Sequence, residues 1–373
     1  MADSFVFLVH RIYKNGAKKT GGADYISTYL KERGKECLSI EHPLYGSGKT
    51  KIFYSKNPMK EVGLIGSGPV RWLQEIFFNV FCVLSSKGKY FLILAVDPLN
   101  FISSYFLKKI TGTPVHFHSI DYSDSRFNNF FMDKIYTWLY VFAIRNADIV
   151  TYVSIKMGEK IRELSPSFDG RVLYYLPNSP EFSRIPKCTY DEKVKNSIVY
   201  TKSFISDTEI GLLLELIKIL NERVPKVRLS LVGSVSDESK NAIEQSNLST
   251  NIILYGLVSY QKNIEIISRS MIGIGWYENK ISFEKYADSL KLREYAAAGL
   301  PSVCNDKIST AFEVESKGAG YVVNNIEEMA DRIITLFFDP DLFRKVQLNA
   351  LNWARSMDKV KLLNELYSQN PKL

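Results

Sequence analysis

At 373 residues the chain is too long for one typical domain and comfortable for two, and 46% hydrophobic against 24% charged residues are globular proportions, which argue against a disordered or fibrous chain. The formal charge of +8 is lopsided: residues 1–180 hold 23 Lys and Arg against 15 Asp and Glu, while residues 181–373 hold 25 of each. The excess therefore sits in the first half, which suggests an acidic partner (nucleic acid, anionic membrane or phosphorylated substrate), although a solvated basic face would give the same counts. The four cysteines, Cys37, Cys82, Cys188 and Cys304, are far apart and include no C-x-x-C. They argue against a metal knuckle or a disulfide framework and fit a reducing cytoplasm.

The opening "MADSFVFLVHRIYK" holds an apolar run of only about five residues with Asp3 before it, a buried first strand and not a signal peptide. A loop ending in Gly21-Gly22 leads to a helix, "ADYISTYLKERG", that closes on Gly34. After the strand "ECLSIEH" comes "HPLYGSGKT", which ends like a phosphate-binding P-loop. The first glycine of that signature would fall at Pro43, which has no N–H and a fixed φ, and no amphipathic helix follows, so a surface loop is the better reading. The stretch "VRWLQEIFFNVFCVLSS" carries Arg71, Glu75 and Asn79 and is shorter than the roughly 20 apolar residues of a membrane span. As a helix it would place Trp72, Ile76, Val80 and Val83 on one stripe beside Lys87 and Lys89. Such a stripe is either a peripheral membrane face or a core-packing face.

"YFLILAVDP", "PVHFHSI" and "DIVTYVS" read as further strands, separated by the helices "LNFISSYFLKKITG" and "FMDKIYTWLYVFAIRN". The Pro-punctuated "RVLYYLPNSPEFSRIPKCTYDEKVKN" reads as a linking segment, after which strand–helix alternation restarts and runs to a helical end. The pattern predicts an α/β chain of two Rossmann-like, doubly wound parallel-sheet domains that face a cleft. The expected boundaries are an N-terminal domain at 1–180, a linker at 181–195, a C-terminal domain at 196–345 and C-terminal helices at 346–373 that pack back toward the N-terminal domain.

"ADSLKLREYAAAGLPSV", Ala287 to Val303, carries the chemistry. Ser289 can cap a helix beginning Leu290-Lys291-Leu292, which Gly299 ends and Pro301 keeps from continuing. Free first-turn amides make an anion site. Lys291 there opposes the helix dipole by roughly 0.3–1 kcal/mol, a sign that a bound anion would reverse. Glu294, one turn on, could accept from the two hydroxyls of a ribose. A surface pair between Lys291 and Glu294 explains the same spacing equally well.

The segment resembles the "KLfEYmaaGlPVv" signature of family 4 (group 1) glycosyltransferases, which have the GT-B fold. "TGGADYISTYLKERGKECLSI", "NADIVTYVSIKMGEKI", "LYYLPNSPEF", "VRLSLVGSV" and "IILYGLVSYQKNIEIISRSMIGI" are similar, in order and spacing, to further family stretches. The resemblance implies a retaining, metal-independent transfer from a nucleotide-diphosphate sugar, UDP- or GDP-linked, with no other cofactor. It implies that Glu294 binds the donor ribose, and that Lys291, Lys202 and the amides of Ser289, Leu290 and Leu292 hold the diphosphate. Gly21 and Gly22 would let a first-domain loop approach the donor, and Gly233 with Tyr255, Gly256, Leu257 and Val258 would line the base pocket. His118 or Asp121 falls near the family's first-domain contact with the transferred sugar. The leaving diphosphate itself would take the acceptor's proton.

Two departures stand out. The first glutamate of the family's pair falls on Tyr286, although branches with an S-x-x-K variant also lack it; and its second basic residue falls on Ile210. His116 and His118 share a strand face, which would suit a metal pair, but hydrogen-bonded structural histidines are the ordinary reading. "FDPDL" contains a D-x-D, read here as a helix boundary with no metal expected. The expected partners are a nucleotide-sugar donor, a glycan or polyprenyl-diphosphate-linked acceptor in surface polysaccharide assembly, and an anionic membrane surface at its cytoplasmic face; no nucleic-acid module accompanies the basic half. The rival readings are a non-catalytic sugar- or partner-binding protein and a nucleotide-sugar epimerase.

Overall fold

Residues 5–9, Phe-Val-Phe-Leu-Val, are all buried, as a strand covered on both faces must be. In the computed structural model, which describes residues 3–14, 17–18, 22–44, 48–54, 57–66, 68–166, 172–278 and 284–369, that strand lies inside a large sheet. The chain forms two compact units, one running to Leu176 and taken up again from Leu362, the other Pro177–Lys361.

The first unit runs β1 (Ser4–Arg11), a ribbon of β2 (Tyr13–Lys14) and β3 (Ala17–Lys18), α1 (Gly22–Glu32), β4 (Glu36–Pro43), β5 (Thr50–Tyr54), β6 (Asn57–Val62), α2 (Gly68–Ser85), β7 (Tyr90–Ala95), α3 (Pro98–Thr111), β8 (Val115–Ser119), α4 (Phe130–Asn146), β9 (Ile149–Tyr152), α5 (Ile155–Leu164) and β10 (Val172–Tyr175). Its sheet has the order β10-β9-β8-β7-β1-β4-β5-β6. Six strands are parallel, but β5 and β6 run antiparallel at the edge, which departs from the all-parallel expectation. The links are too short for a helical crossover, so the chain can only turn back on itself. At the ends of the P-loop-like stretch, β4 stops at Pro43 and β5 begins at Thr50, and His42 Nδ1 lies 2.9 Å from Thr50 Oγ1; residues 45–47 between them lie outside the described residues. The Pro-punctuated stretch from Arg171, which reads as a linking segment, opens with a strand unseen in the sequence, β10, inside the expected N-terminal domain.

The second unit runs β11 (Ser197–Phe204), α6 (Asp207–Arg223), β12 (Arg228–Ser234), α7 (Asp237–Gln245), β13 (Ile252–Gly256), α8 (Tyr260–Arg269), β14 (Ile272–Gly275), α9 (Leu290–Ala297), β15 (Ser302–Asn305), α10 (Ser309–Ser316), β16 (Gly320–Val323), α11 (Ile326–Phe338) and α12 (Pro340–Ser356). All its strands pair in parallel, in the order β13-β12-β11-β14-β15-β16. Residues 181–195 lie within this unit, where the buried Lys193 ammonium donates to the carbonyls of Ser268 and Ser270 at 2.9 and 3.1 Å. Helix α12 packs on α9 and α11. The D-x-D aspartate Asp339 caps α12 by accepting from the Leu342 amide. The last helix, α13 (Lys359–Ser368), ties its later residues to the first unit: Tyr29 donates to Asn364 at 2.7 Å and Tyr174 to Glu365 at 2.9 Å.

Candidate functional site

The strand order of the second unit sets the carboxyl ends of β13, β12, β11 and β14 side by side, the edge at which open parallel sheets bind ligands. Tyr255, Gly256, Leu257 and Val258 close β13, with the Leu257 side chain exposed. Gly233 lies at the end of β12 with φ 147°, and a Cβ there would stand 1.8 Å from the Lys202 carbonyl oxygen. Only glycine lets β12 approach β11 this closely.

Helix α9 reaches this edge by its N-terminus. The Ser289 side chain accepts from the Leu292 amide and also meets the Tyr277 hydroxyl. The Ser289 amide donates to Thr310 Oγ1 at 2.8 Å, and Thr310 in turn donates to Asp288. Beneath the helix, buried Arg293 donates to Asp288 and to Glu313, each at 2.7 Å. Tyr295 packs on Gly273 and meets the Thr201 amide. The helix is thus anchored on its inner side, which leaves Leu290 and Lys291 of its first turn facing outward, half-buried.

Lys291 Nζ stands 4.3 Å from the Tyr200 ring centre and 4.7 Å from that of Tyr277. No carboxylate among the described residues pairs with it. Burial, opposed by Glu209 and aided by the neighbouring charge of Lys202, brings its pKa down to about 7. The nearby carboxylate is already taken. Glu209 accepts from Lys202 Nζ at 2.7 and 2.8 Å, from Tyr200, and from the amide and hydroxyl of Ser206 in a capping box. Although burial works against its charge, these donors hold Glu209 below the usual carboxylate range. Glu294 is only 4% exposed; burial raises it to about 7, against a hydrogen bond from Tyr260.

Lys202, Gly233, Tyr255–Val258, Ser289–Leu292 and Glu294 therefore all belong to the second unit and lie at or near one sheet edge. Ile210 packs in the core and supplies no charge, and Tyr286 is buried. Gly22 begins α1, while Gly21 lies outside the described residues. His118 is 1% exposed; its Nδ1 lies 2.7 Å from Thr151 Oγ1, and burial lowers its pKa to about 3. His116 meets the same hydroxyl and Tyr367, so the two rings are bound as structural histidines. Among the described residues no group of three or more His, Cys, Asp or Glu is placed to hold a metal. Asp121 is more open and pairs with Arg126 at 3.2 Å.

Several residues of these edges escaped the sequence reading. Glu209 carried a visible signal, the S-x-x-E capping box from Ser206. Tyr200, Tyr260, Tyr277, Arg293 and Glu313 had none. In the first unit, His10 at the end of β1 lies between Asp97 (2.8 Å) and Glu75 (3.1 Å). Burial disfavours its charge, but the two carboxylates outweigh that and raise it to about 10.

Residues 190–353 match the family model for glycosyl transferases group 1. Over 200 residues, 52% of this chain, the sequence is 23% identical to poly(ribitol-phosphate) alpha-N-acetylglucosaminyltransferase of Staphylococcus aureus, of whose length the match spans 38%. Among solved structures, sucrose-phosphate synthase from Thermosynechococcus elongatus superposes with a TM-score of 0.67 at 15% identity, covering 98% of both chains. Anabaena HepE, solved with UDP, gives 0.65 at 14% identity with the same coverage. These likenesses establish a shared two-unit α/β fold. Over residues 190–353, less than half of its length, this chain is similar to the group 1 glycosyl transferases.

Proposed function

We propose that the protein transfers a sugar, with retention, from a UDP- or GDP-linked donor to a glycan or polyprenyl-diphosphate-linked acceptor. One observation carries the reading: a desolvated lysine without a carboxylate partner among the described residues sits in the first turn of α9, between the rings of Tyr200 and Tyr277. Such a site is made for an anion of more than one charge. Lys291 and the amide of Leu290 would hold the donor diphosphate, with Lys202 at its flank; the amides of Ser289 and Leu292, expected from the sequence to join them, already donate to Thr310 and to the Ser289 side chain. Glu294 would accept from the ribose hydroxyls, and the β12 and β13 ends would hold the base. The UDP in HepE and the sugar transfer named for the Staphylococcus enzyme support the same reading.

In the proposed step the bond from the anomeric carbon to the diphosphate oxygen breaks as the acceptor oxygen bonds to that carbon on the same face. The acceptor proton passes to the departing diphosphate. Lys291, Lys202 and the Leu290 amide stabilise the charge that grows on the leaving group, which is electrostatic catalysis. The basic first unit would hold the acceptor.

A second reading, sugar binding without turnover, draws on Lys202 being neutralised by Glu209 and on the apolar Ile210. Calorimetric titration of UDP, GDP, ADP and dTDP into the wild type and Glu294→Ala tests the site. Tight binding of one nucleotide, lost in the variant, is expected; no binding by any of them refutes the donor site. Binding with no donor hydrolysis or transfer would favour the second reading.

A further inference from the structure

Helix α2 is inverted relative to an ordinary amphipathic helix. It buries Arg71, Glu75 and Asn79 and exposes Leu73, Phe77 (72%) and Phe81 (68%). From the sequence, the stripe of Trp72, Ile76, Val80 and Val83 could be a membrane face or a core-packing face. In the structure Val83 is buried and the other three are half-buried. The reason lies beneath the helix, where the core is polar. Asn79 meets His42, Asn100 and Ser103, and Glu75 meets Arg71 and His10. The polar stripe is drawn inward to satisfy these groups, and the apolar stripe is left on the surface.

The apolar face continues on neighbouring helices. Helix α3 packs beside both α2 and α4 and adds Phe106, and α4 adds Phe131 (74%) and Trp138 (63%). A lone exposed leucine needs no explanation, but large aromatics across three adjacent helices do. The charges around them are predominantly positive. Exposed Lys87 and Lys89 follow α2, Lys109 ends α3 with its ammonium over the Tyr105 ring, and Lys134 lies 4.3 Å over the Phe130 ring. The one acid of α2, Glu75, is buried; α3 has none; and Asp133, the one acid of α4, accepts from the Phe127 amide at its first turn.

We propose that the α2–α3–α4 face docks the first unit on an anionic lipid bilayer. Aromatic side chains interleaved with lysines suit the headgroup layer, where the rings enter the acyl boundary and the ammoniums meet lipid phosphates. A second copy of this chain is a poorer occupant, because an isologous contact would set these lysines against their own copies. No described helix is long and apolar enough to cross a membrane, so the contact is with the surface. The inference rests on the first unit alone, so it stands or fails separately from the donor site; with a lipid-linked acceptor it would bring enzyme and acceptor to one plane.

The test is co-sedimentation of the full chain with vesicles of phosphatidylcholine, with and without phosphatidylglycerol. Binding is expected only with the anionic lipid and should weaken with salt. Phe77→Ser with Phe81→Ser should weaken it about tenfold or more, and so should Lys87→Ala with Lys89→Ala. Unchanged circular dichroism and an unchanged urea unfolding transition show that each variant is folded. The inference is overturned if wild-type protein ignores anionic vesicles or if the double phenylalanine variant binds them as well as wild type. It is also overturned if sedimentation velocity shows dimers that this variant dissociates.

Discussion

Replacing Lys291 by methionine should make the protein more stable and a worse binder. The substitution keeps the length of the side chain between Tyr200 and Tyr277 and removes the charge. A pKa brought from 10.5 to about 7 corresponds to roughly 5 kcal/mol at about 1.4 kcal/mol per pKa unit. Because the side chain is half-buried and keeps some water, a penalty of about 2–4 kcal/mol is the better figure. The unfolded chain holds the extra proton between about pH 7 and 10.5, so the penalty is complete below pH 7 and fades as pH rises toward 10.5. Lys291→Met should therefore raise the unfolding free energy of the second unit by about 2 kcal/mol or more at neutral pH, with the gain gone near pH 10.5. A diphosphate that pairs with the ammonium recovers this penalty, so the variant should bind the nucleoside diphosphate about 30- to 1000-fold more weakly. Urea unfolding at both pH values and calorimetry on the same samples read the two effects. A variant that is less stable at pH 7, or that binds as tightly as wild type, would refute the reasoning.

Gly233→Ala should unfold or distort the second unit, because its Cβ would overlap the Lys202 carbonyl at a φ that side chains avoid. A loss of about 3 kcal/mol or more is expected in urea, together with loss of nucleotide binding, and near-wild-type stability would show that the strand ends can separate. Asp97→Asn keeps the cap of α3, since asparagine caps as well as aspartate, but removes one of the two charges around His10. The charge of His10 contributes stability in full below pH 6.5 and loses it as pH rises through about 10. The variant should lower the His10 pKa by NMR and cost about 2–4 kcal/mol at pH 7, with the difference closing above pH 10; equal stability at pH 7 would count against the ion pairs.

The second unit was legible because its strands and helices obey ordinary periodicity and its caps carry local signals. Ser289 caps where expected, and Gly299 ends α9 with φ 69°. What could not be read were long-range partners. Glu313 reaches Arg293 from twenty residues away, and Lys202 spends its charge on Glu209, which no spacing rule announces. Helix α2 misled for a sharper reason. Periodicity shows that a helix has two faces and assumes that the apolar one turns inward. That assumption fails where His10, His42 and Asn100 have already made the facing core polar, and those residues come from β1, β4 and α3. The antiparallel edge of the first sheet was missed because "TKIFY" and "NPMKEV" are short and do not alternate cleanly between apolar and polar residues.

Lys291 and Glu294 stand one turn apart on α9 and both titrate near 7, but binding asks opposite states of them. The proposed site needs the lysine charged and the carboxyl ionised. Above pH 7 the free lysine has lost its proton and binding must take one up, so affinity falls by up to about tenfold per pH unit. Below pH 7 the free Glu294 holds a proton that binding must release, and affinity falls by a similar factor in the other direction. The plot of log affinity against pH should therefore peak near neutrality. Each limb belongs to one residue: Lys291→Met should flatten the alkaline limb and leave the acid one, and Glu294→Gln should do the reverse. Protonation of the nucleotide's terminal phosphate also weakens binding in acid, so the decisive comparison is between variants and not between pH values. If Glu294→Gln keeps the full acid limb, the nucleotide alone produces it and Glu294 does not touch the ribose. If the alkaline limb survives in Lys291→Met, another group holds the diphosphate, and Lys202, released from Glu209, is the first to examine.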